Sequence, residues 1–536
     1  MNQTDIFPSA CHRWGIYELA FSGKTSGNPY LQYRITGTFC GEQETVTLDG
    51  FYDGDGIYRI RFMPSYEGLY TFSVSGSFSK QAYHGSFTSL PAVPGCHGPV
   101  RVADTYHFRY ADGTPYRPVG TTCYAWTFQK GSVRTQTLAT MAGTCFNKLR
   151  FCLFPKHYDY NLNDPVCFPF EGTPCDNAGL TEENFSQANC SCLGGREIAA
   201  KTNHWDFERF NPEYFRLLED CILKLAKAGI EADLILFHPY DRWGFSDMTP
   251  EQDERYVRYI AARFSAYHNV WWSMANEYDL MPQKTFEDWE RLGRLVKSLD
   301  PYGHLLSIHN CQAFYDHTRD FITHCSIQRT DLYLSSEMTE KWRERYKKPV
   351  VLDEICYEGN LQHGWGNLTG KELTRRCWEA VCRGGYPGHG ETFLERIPDG
   401  SAKDRDVRIW WSHGGTLYGE CPPRLAFLSQ VLADIPGGHG LKSIHLNWDE
   451  VAAVPDSPLA EEHSYYLVYF SFMAPLFRRF HMDDETWFEI DILDTWNMTV
   501  THLGKRRGEF TVPLPGKPYM ALRLKKAERS HCDDAS

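Results

Sequence analysis

Two apolar stretches that each end in a glutamate place the strongest constraint on the fold of this chain. In the first, VWWSMANEYD at residues 270–279, the apolar run ends at Asn276 and Glu277, and in the second, PVVLDEICY at residues 349–357, it ends at Asp353 and Glu354. A continuous apolar run is typical of a parallel strand buried on both faces. The two glutamates lie 77 residues apart, which leaves room for three βα units of roughly 25 residues in an eight-stranded barrel.

Between residues 116 and 434, apolar runs alternate with helical patterns, which is the mark of a parallel α/β fold. Asn211 and Pro212 predict the start of a helix that Gly229 ends, and Thr249 with Gln252 forms a capping-box pattern before the next helix. We therefore predict a (β/α)8 TIM barrel. Besides the two opening stretches, its strands are expected at 116–124, 147–154, 232–237, 305–309, 322–327 and 386–393.

The residues before and after the predicted barrel have the alternating pattern that is typical of β-strands. In the first ninety residues, Tyr58, Ile60 and Phe62 alternate with arginines, and similar alternation recurs after residue 440. Segments rich in proline and glycine, at 90–98 and 435–440, separate these flanks from the middle. We therefore expect an N-terminal β-sandwich at 1–92, a barrel at 93–438 and a C-terminal β-sandwich at 439–536.

The charge and composition of the chain limit the kinds of molecule that it is expected to bind. The 536 residues carry a formal net charge of −13 and no block of lysine or arginine that could follow phosphates, so nucleic acid is not an expected partner. No run approaches the roughly 18 apolar residues of a membrane span, and no signal peptide is visible. With 18 cysteines in such a chain, we expect reduced thiols and a cytoplasmic location.

No cofactor or metal is expected from the sequence. Cys167, Cys175, Cys190 and Cys192 lie close together along the chain, but their spacing is not that of a zinc knuckle. A metal-dependent barrel hydrolase would favour a His-x-His pair on the first strand, and residues 120–124 contain none.

The paired glutamates indicate chemistry on a glycosidic bond. Cleavage through an oxocarbenium-like transition state needs one carboxyl to protonate the leaving oxygen and another to capture the anomeric carbon, roughly 5–5.5 Å apart in a retaining enzyme. We assign Glu277 as the acid/base and Glu354 as the nucleophile, with Asn276 holding the sugar 2-hydroxyl. The alternative is that each glutamate is a surface carboxylate or half of a salt bridge.

The two stretches resemble the strand-4 and strand-7 signatures of clan A glycoside hydrolases, and the chain is most similar to the apiosidase-like group. The resemblance extends over HFRYADGTPYRPVGTTCYAWTF, FNKLRFCLFP, DFERFNPEYFRLLEDCI and GGTLYGECPPRLAFL. It implies an N-terminal immunoglobulin-like domain and a C-terminal sandwich around the barrel. It does not specify the substrate.

Three departures from the clan A pattern leave the bound sugar open. Tyr278 stands where Asn-Glu-Pro is common, no His-x-Tyr is evident around Gln328, and Glu391 occupies the place of a tryptophan after strand 8. In the apiosidase-like group the acid can be aspartate, whereas this chain has Glu277.

Further residues at predicted strand ends are candidates for binding substrate. Each also has a structural interpretation, as an ion pair for Arg150, a core histidine for His309 or a core side chain for a tryptophan. The candidates are Arg150, His238, Asp241, His309, Tyr357, Glu391, Trp126 and Trp411.

The sequence thus predicts a retaining glycoside hydrolase acting on an oligosaccharide or glycoside by a two-glutamate double displacement. A catalytically inactive carbohydrate-binding relative is the alternative, disfavoured because both glutamates are present. Three roles stay open for the flanking domains: binding sugar, contacting a second subunit of a homo-oligomer, or walling the cleft.

Overall fold

The computed structural model describes residues 7–174, 203–399, 401, 403–404, 407–461 and 463–527. Three of the cysteines considered above for a metal, Cys175, Cys190 and Cys192, lie outside these residues. Within them, no helix has the length and apolar character needed to cross a membrane.

Eight parallel strands form the centre of the molecule. In chain order they are β1 (Gly120–Thr122), β2 (Lys148–Cys152), β3 (Glu231–Phe237), β4 (Val270–Ala275), β5 (Leu306–Ser307), β6 (Cys325–Gln328), β7 (Val350–Glu354) and β8 (Tyr386–His389). They lie in the order β5-β4-β3-β2-β1-β8-β7-β6, and a parallel bridge from His309 to Ser326 joins the two outer strands. The predicted barrel fold is therefore confirmed, with Glu277 and Glu354 at the carboxyl ends of β4 and β7.

Helices cover the outside of the barrel. They are α1 (Gly131–Ala142), α2 (Pro212–Lys227), α3 (Pro250–Phe264), α4 (Phe286–Leu299), α5 (Thr339–Tyr346), α6 (Gly370–Cys382) and α7 (Cys421–Ala433). Two four-residue helices lie elsewhere, Pro29–Gln32 in the N-terminal domain and the buried Trp410–His413 after β8. The predicted caps are present: the Asn211 side chain accepts from the Glu213 N–H, and Thr249 and Gln252 form a capping box. These caps satisfy backbone donors that a helix start otherwise leaves unpaired.

A small three-stranded sheet closes the end of the barrel opposite the glutamates. Its strands are Val100–Ala103, His107–Tyr110 and Pro115–Tyr116. Phe108 and Tyr116 pack there against Trp271 and Val351, which stand near the starts of β4 and β7. Because Tyr116 belongs to this sheet, the predicted first strand at 116–124 began too early.

Charged side chains fill part of the barrel interior. The Lys148 ammonium donates to Asp233 at 2.6 Å and to Asp353 at 2.8 Å, and the Ser326 hydroxyl donates to Asp353 at 2.5 Å. All of these side chains are buried. Buried carboxylates are tolerated when a cation and hydrogen bonds compensate them, so this network fixes the strands directly below the mouth.

Two sheets form the N-terminal domain. One contains Ala10–His12, Tyr83–Leu90, Gly68–Ser75, Thr36–Cys40 and Thr45–Asp49, and the other contains Tyr17–Ser22, Ile57–Phe62 and Phe51–Tyr52. Aromatic rings join them: Tyr17 stacks on Phe87 at 3.7 Å, and Phe62 stacks on Phe39 at 4.5 Å. The alternation of Tyr58, Ile60 and Phe62 correctly indicated the core face of this sandwich.

The opposite face of that strand is not solvent-exposed, as simple alternation would suggest. Arg61 is buried and donates to both carboxylate oxygens of Glu219 on α2, at 2.7 and 3.1 Å. Arg263 on α3 donates to Glu219 and to Asp53, both at 2.7 Å. A buried ion network therefore joins the N-terminal sandwich to the barrel.

The C-terminal domain has a six-stranded sheet and a two-stranded one. The strands of the larger sheet are Leu441–Ile444, Val451–Pro455, Tyr465–Tyr469, Met520–Lys526, Phe488–Asp494 and Thr499–Arg506, and Phe477–His481 pairs with Glu509–Pro513. Tyr469 stacks on Trp378 of α6 at 5.6 Å, so this domain packs on the barrel as well. We propose residues 92 and 438 as the domain boundaries.

The interdomain ion network makes a prediction about stability. Arg263→Ala removes a cation from between two buried carboxylates, and Arg59, Arg61 and Arg216 compensate only part of that charge. We expect a loss of about 3 kcal/mol in the free energy of unfolding, measured by urea denaturation. The control Arg258→Ala, an exposed position on the same helix, should stay within about 0.5 kcal/mol of the parent. Equal stability of the two variants would contradict the network's role.

Candidate active site

A cavity of about 310 Å³ opens at the carboxyl ends of the barrel strands. Both glutamates singled out in the sequence line it, together with aromatic, amide and small side chains. The full lining is Tyr124, Lys156, Tyr158, Tyr240, Asn276, Glu277, Leu280, Cys311, Gln312, Gln328, Thr330, Glu354, Cys356, Tyr357, Trp365 and Trp411. A concave site with a few polar groups among apolar walls is the usual form of a ligand pocket.

Glu277 follows β4 with φ of 51°, in the left-handed region that non-glycine residues rarely occupy. This backbone turn directs its carboxylate to three donors. The Tyr240 hydroxyl donates to Oε2, the Asn276 amide donates to Oε2 at 3.2 Å, and the Gln328 amide donates to Oε1 at 3.1 Å. Strain of this kind persists where surrounding contacts fix it, often at functional sites.

Glu354 ends β7 and faces the same cavity. Its Oε1 accepts from the Tyr124 hydroxyl and lies 3.7 Å from Nε2 of His309. Burial and the neighbouring charge of Glu277 raise the pKa of Glu354 to about 7. The hydroxyls of Tyr124 and Tyr357 and the charge of Arg150 act in the opposite direction, because they favour the anion.

The two carboxylates belong to one hydrogen-bonded chain. The Tyr124 hydroxyl contacts both Glu354 and, at 3.1 Å, the amide oxygen of Asn276, whose nitrogen in turn donates to Glu277. Burial and the charge of Glu354 hold the pKa of Tyr124 well above its usual value, so its hydroxyl stays protonated and able to donate.

Arg150 supports this chain from below the cavity. Its guanidinium donates to the Asn276 amide oxygen at 3.0 Å and to the Ser273 hydroxyl at 3.1 Å. These bonds fix which end of the Asn276 amide faces Glu277. Arg150, predicted as a binding candidate or a structural ion pair, is buried behind Asn276 and does not line the cavity, and its charge acts to lower the pKa of Glu354.

Aromatic rings and a lysine form one wall of the cavity. The Lys156 ammonium lies 3.7 Å from the ring centroid of Tyr124, 4.0 Å from Trp411 and 4.4 Å from Tyr240. Trp365 packs against Trp411 with ring centroids 5.2 Å apart. Contacts of a cation with aromatic faces are attractive by about 0.5–2 kcal/mol, so Lys156 orders these rings beside the two carboxylates.

Besides Arg150, five predicted binding residues lie outside the cavity lining. Trp126 is buried against Phe151 in the barrel core. His238 contacts the Phe154 carbonyl at 3.2 Å, and Asp241 accepts from two backbone N–H groups, both at 2.7 Å. These three are structural rather than exposed to a substrate in the cavity.

His309 and Glu391 are the other two. His309 is fully buried behind the pair, and burial and the charge of Arg150 hold its pKa well below its usual value, so its ring is neutral. Glu391 belongs to a separate short strand, Glu391–Thr392, and accepts from the backbone N–H groups of Tyr418 and Gly419. Glu391 is therefore buried against the segment before α7 and does not line the cavity, although it lies only two residues past the end of β8.

Several cavity residues were not among the predicted site residues. Tyr124, Tyr240 and Gln328 contact the glutamates directly, and Lys156 and Trp365 line the wall. Tyr124, Tyr240 and Lys156 lie two to four residues past a strand end and Gln328 ends β6, which was the available signal. Trp365 had no such signal, because it lies in the loop after β7. Tyrosine and glutamine at such places are more often structural, so residue type alone did not distinguish them.

A larger cavity of about 560 Å³ lies between the N-terminal sandwich and α3. Its acidic side chains, Asp49, Glu251 and Glu254, are exposed or half-buried. It therefore lacks a pair of buried carboxylates facing one another. We place the candidate active site in the smaller cavity on chemical grounds rather than by size.

Comparison with known proteins identifies the family of the chain. A family model described as "Apiosidase-like, catalytic domain" matches residues 104–393. Two models described as domains of unknown function, DUF5060 and DUF5605, match residues 10–77 and 448–525. No curated protein matches the chain.

Solved structures extend the comparison over the whole chain. A "putative glycoside hydrolase" from Bacteroides vulgatus ATCC 8482 is 35% identical, with a TM-score of 0.85, covering 97% of this chain and 100% of that chain. A glycoside hydrolase family 5 protein from the same organism is 14% identical, with a TM-score of 0.58 and coverage of 83% and 97%. The second likeness shows a shared fold alone.

The family match covers more than half of the residues, and the 35% identical relative covers nearly all of them. The resemblance seen in the sequence is thereby confirmed. This chain belongs to the apiosidase-like family and is related to the glycoside hydrolases.

Proposed function

We propose that this protein is a retaining glycoside hydrolase that cleaves an O-glycosidic bond of an oligosaccharide or glycoside. The observation that carries the proposal is the convergence of two buried carboxyls, Glu277 and Glu354, on one cavity. Their charges interact strongly enough for Glu277 to raise the pKa of Glu354. Paired carboxyls with linked protonation are what glycosidic bond cleavage requires.

In the first step, Glu354 attacks the anomeric carbon while Glu277 donates its proton to the leaving oxygen. The bond to the leaving group breaks, and a covalent glycosyl–enzyme ester forms on Glu354. In the second step, Glu277 removes a proton from water, the water oxygen attacks the anomeric carbon, and Glu354 leaves as a carboxylate. Two inversions at one carbon retain its configuration.

The environment supports this division of roles. Hydroxyl donors from Tyr124 and Tyr357 and the charge of Arg150 stabilise the anion of Glu354, as a nucleophile needs. The repulsion between the carboxylates favours a state in which the pair keeps one proton. The raised pKa of Glu354 places this proton on Glu354 in the free protein, so the proposed first step requires its transfer to Glu277 when substrate binds.

Other cavity residues are assigned to substrate binding. Asn276 and Gln328 present amides beside Glu277, where they can bond hydroxyls of the sugar at the cleavage point. Trp411 and Trp365 offer aromatic surfaces at the wall, and sugar rings pack on such surfaces. Furanose and pyranose rings both remain candidates, and an inactive sugar-binding relative remains the alternative.

The proposal includes a cellular location and an oligomeric state. Every cysteine in the part of the chain that the structure describes is a free thiol, which supports the expected cytoplasmic location. A homo-oligomer that uses one of the flanking sandwiches is also proposed. Cell fractionation and light scattering of the purified protein would test these two points.

A panel of aryl glycosides, furanosides included, provides the first test of activity. Glu277→Gln and Glu354→Gln should each lower kcat on the active substrate by at least about a thousandfold. The control Glu344→Gln changes an exposed glutamate of α5 and should keep parental activity. Parental turnover in either cavity variant would contradict its assigned role, and a wholly inactive parent would favour the sugar-binding alternative.

Chemical rescue distinguishes the two roles. Azide should restore turnover to Glu354→Gly and give a glycosyl azide of inverted configuration, because azide then replaces the nucleophile in a single displacement. In Glu277→Gly, azide should instead give an azide of retained configuration. NMR of the anomeric proton reports both results, and the opposite pattern would exchange the two assignments.

The pH dependence follows from the raised pKa of Glu354. The pair must hold one proton, so kcat/KM of the parent should fall as pH rises above about 7, where that proton is lost. In Glu277→Gln the neighbouring charge is gone, so the pKa of Glu354 should drop. With a dinitrophenyl leaving group, which needs no acid, this variant should show no fall above pH 7. An unchanged profile would contradict coupling of the pair.

A further inference from the structure

A second acidic cluster lies behind the active-site cavity. Glu358 and Glu391 sit opposite each other on two short parallel strands, Glu358–Gly359 and Glu391–Thr392, and His389 ends β8 beside them. One oxygen from each carboxylate and one ring nitrogen of His389 all lie within 4.8 Å of one another. None of the three side chains is more than 1% exposed.

Backbone N–H groups balance only part of the negative charge of these two carboxylates. Glu358 accepts from the N–H groups of Glu420 and Cys421 at 2.7 and 2.9 Å, and Glu391 accepts from those of Tyr418 and Gly419 at 2.6 and 2.7 Å. These groups lie at the start of α7, whose dipole supplies about half a positive charge. Two negative charges therefore exceed what the helix end can balance.

No basic side chain of the described residues pairs directly with either carboxylate, although the more distant charge of Arg424 acts to lower the pKa of Glu358. Among the described residues, neither Glu358 nor Glu391 forms a salt bridge with a lysine, arginine or histidine. Buried carboxylates are as a rule paired with a cation, bound to a metal or protonated. The cluster thus requires either bound protons or a cation from outside the chain.

The surroundings of His389 indicate independently that a cation, rather than a proton, balances this negative charge. Its Nδ1 lies 2.9 Å from the Thr121 hydroxyl, which itself accepts from the Trp410 indole N–H. Its Nε2 is buried and has no hydrogen-bond partner among the described residues. A metal-binding histidine commonly uses one nitrogen for the ion and donates the other N–H to a nearby oxygen. The Thr121 contact supplies that second interaction.

We propose that Glu358, His389 and Glu391 bind one divalent transition-metal ion, Zn²⁺ or Mn²⁺. The mixed set of two carboxylates and one imidazole suits these ions better than Ca²⁺ or Mg²⁺, which take oxygen ligands. The three side chains supply three of the four ligands of tetrahedral zinc, and water would supply the fourth. Their ligand atoms lie within 4.8 Å of one another and must move closer to reach the roughly 3.4 Å spacing of such a site. The expectation that the chain uses no metal would then be wrong.

The location gives the ion a structural role. Glu358 directly follows Tyr357 of the cavity, and Glu391 begins the segment that leads through Trp411 to α7. An ion between them ties the Tyr357 loop to that segment. Glu277 and Glu354 are not among these three ligands, so this inference stands apart from the proposed hydrolysis.

The test uses the full-length protein, stripped of metal with a chelator and titrated with Zn²⁺ or Mn²⁺ by calorimetry. We expect one ion per chain and a rise in Tm of several degrees on binding, as ligand linkage requires. Diffraction from crystals soaked in Zn²⁺ should show an anomalous peak between Glu358, His389 and Glu391. Absence of binding, or a peak only elsewhere, would overturn the proposal in favour of a shared proton.

Variants separate this site from surface histidines that take up zinc. Glu391→Gln and His389→Gln should weaken binding at least about a hundredfold and abolish the rise in Tm. The control Glu379→Gln alters a buried glutamate that pairs with Arg383 outside the cluster and should bind as the parent does. Equal affinity in all four proteins would contradict the assignment. If the cluster variants fail to fold, the anomalous peak in the parent decides.

Discussion

Two carboxylates buried in one cavity repel each other, and much of the structure around Glu277 and Glu354 offsets that repulsion. Closure of eight parallel strands brings the ends of β4 and β7 to the same opening. Hydroxyl and amide donors then hold each anion, and Tyr124 with Asn276 connects them. The remaining repulsion appears as the raised pKa of Glu354. This repulsion between the carboxylates favours the state in which the pair holds one proton, and the proposed chemistry depends on that state.

The rest of the fold keeps that opening rigid. Lys148 joins Asp233 and Asp353 inside the barrel, and the Arg61 and Arg263 network fixes the N-terminal sandwich to the outer helices. Preorganised groups cost little rearrangement when charge develops during a reaction. The flanking domains thereby contribute to the site without supplying a residue to the cavity lining.

Strong periodic signals were predictable, and local departures from them were not. The apolar runs at β4 and β7 and the caps of α2 and α3 predicted their elements correctly. The eighth strand was predicted to run to residue 393, but it ends at His389. The Tyr357 ring packs on the next residue, Gly390, where an added Cβ would come within 1.9 Å of the ring. That contact separates Glu391 from β8. Tyr124 and Tyr240 were missed because nothing local shows which strand-end tyrosines will face a carboxylate across the barrel.

Trapping of the covalent intermediate tests the central claim most directly. The parent protein would be incubated with a 2-deoxy-2-fluoro glycoside of the sugar that it cleaves, bearing a good leaving group, then digested and examined by mass spectrometry. The account predicts one sugar per chain, attached to the peptide that contains Glu354. Attachment to the Glu277 peptide, or complete turnover by an inverting route with no adduct, would contradict it.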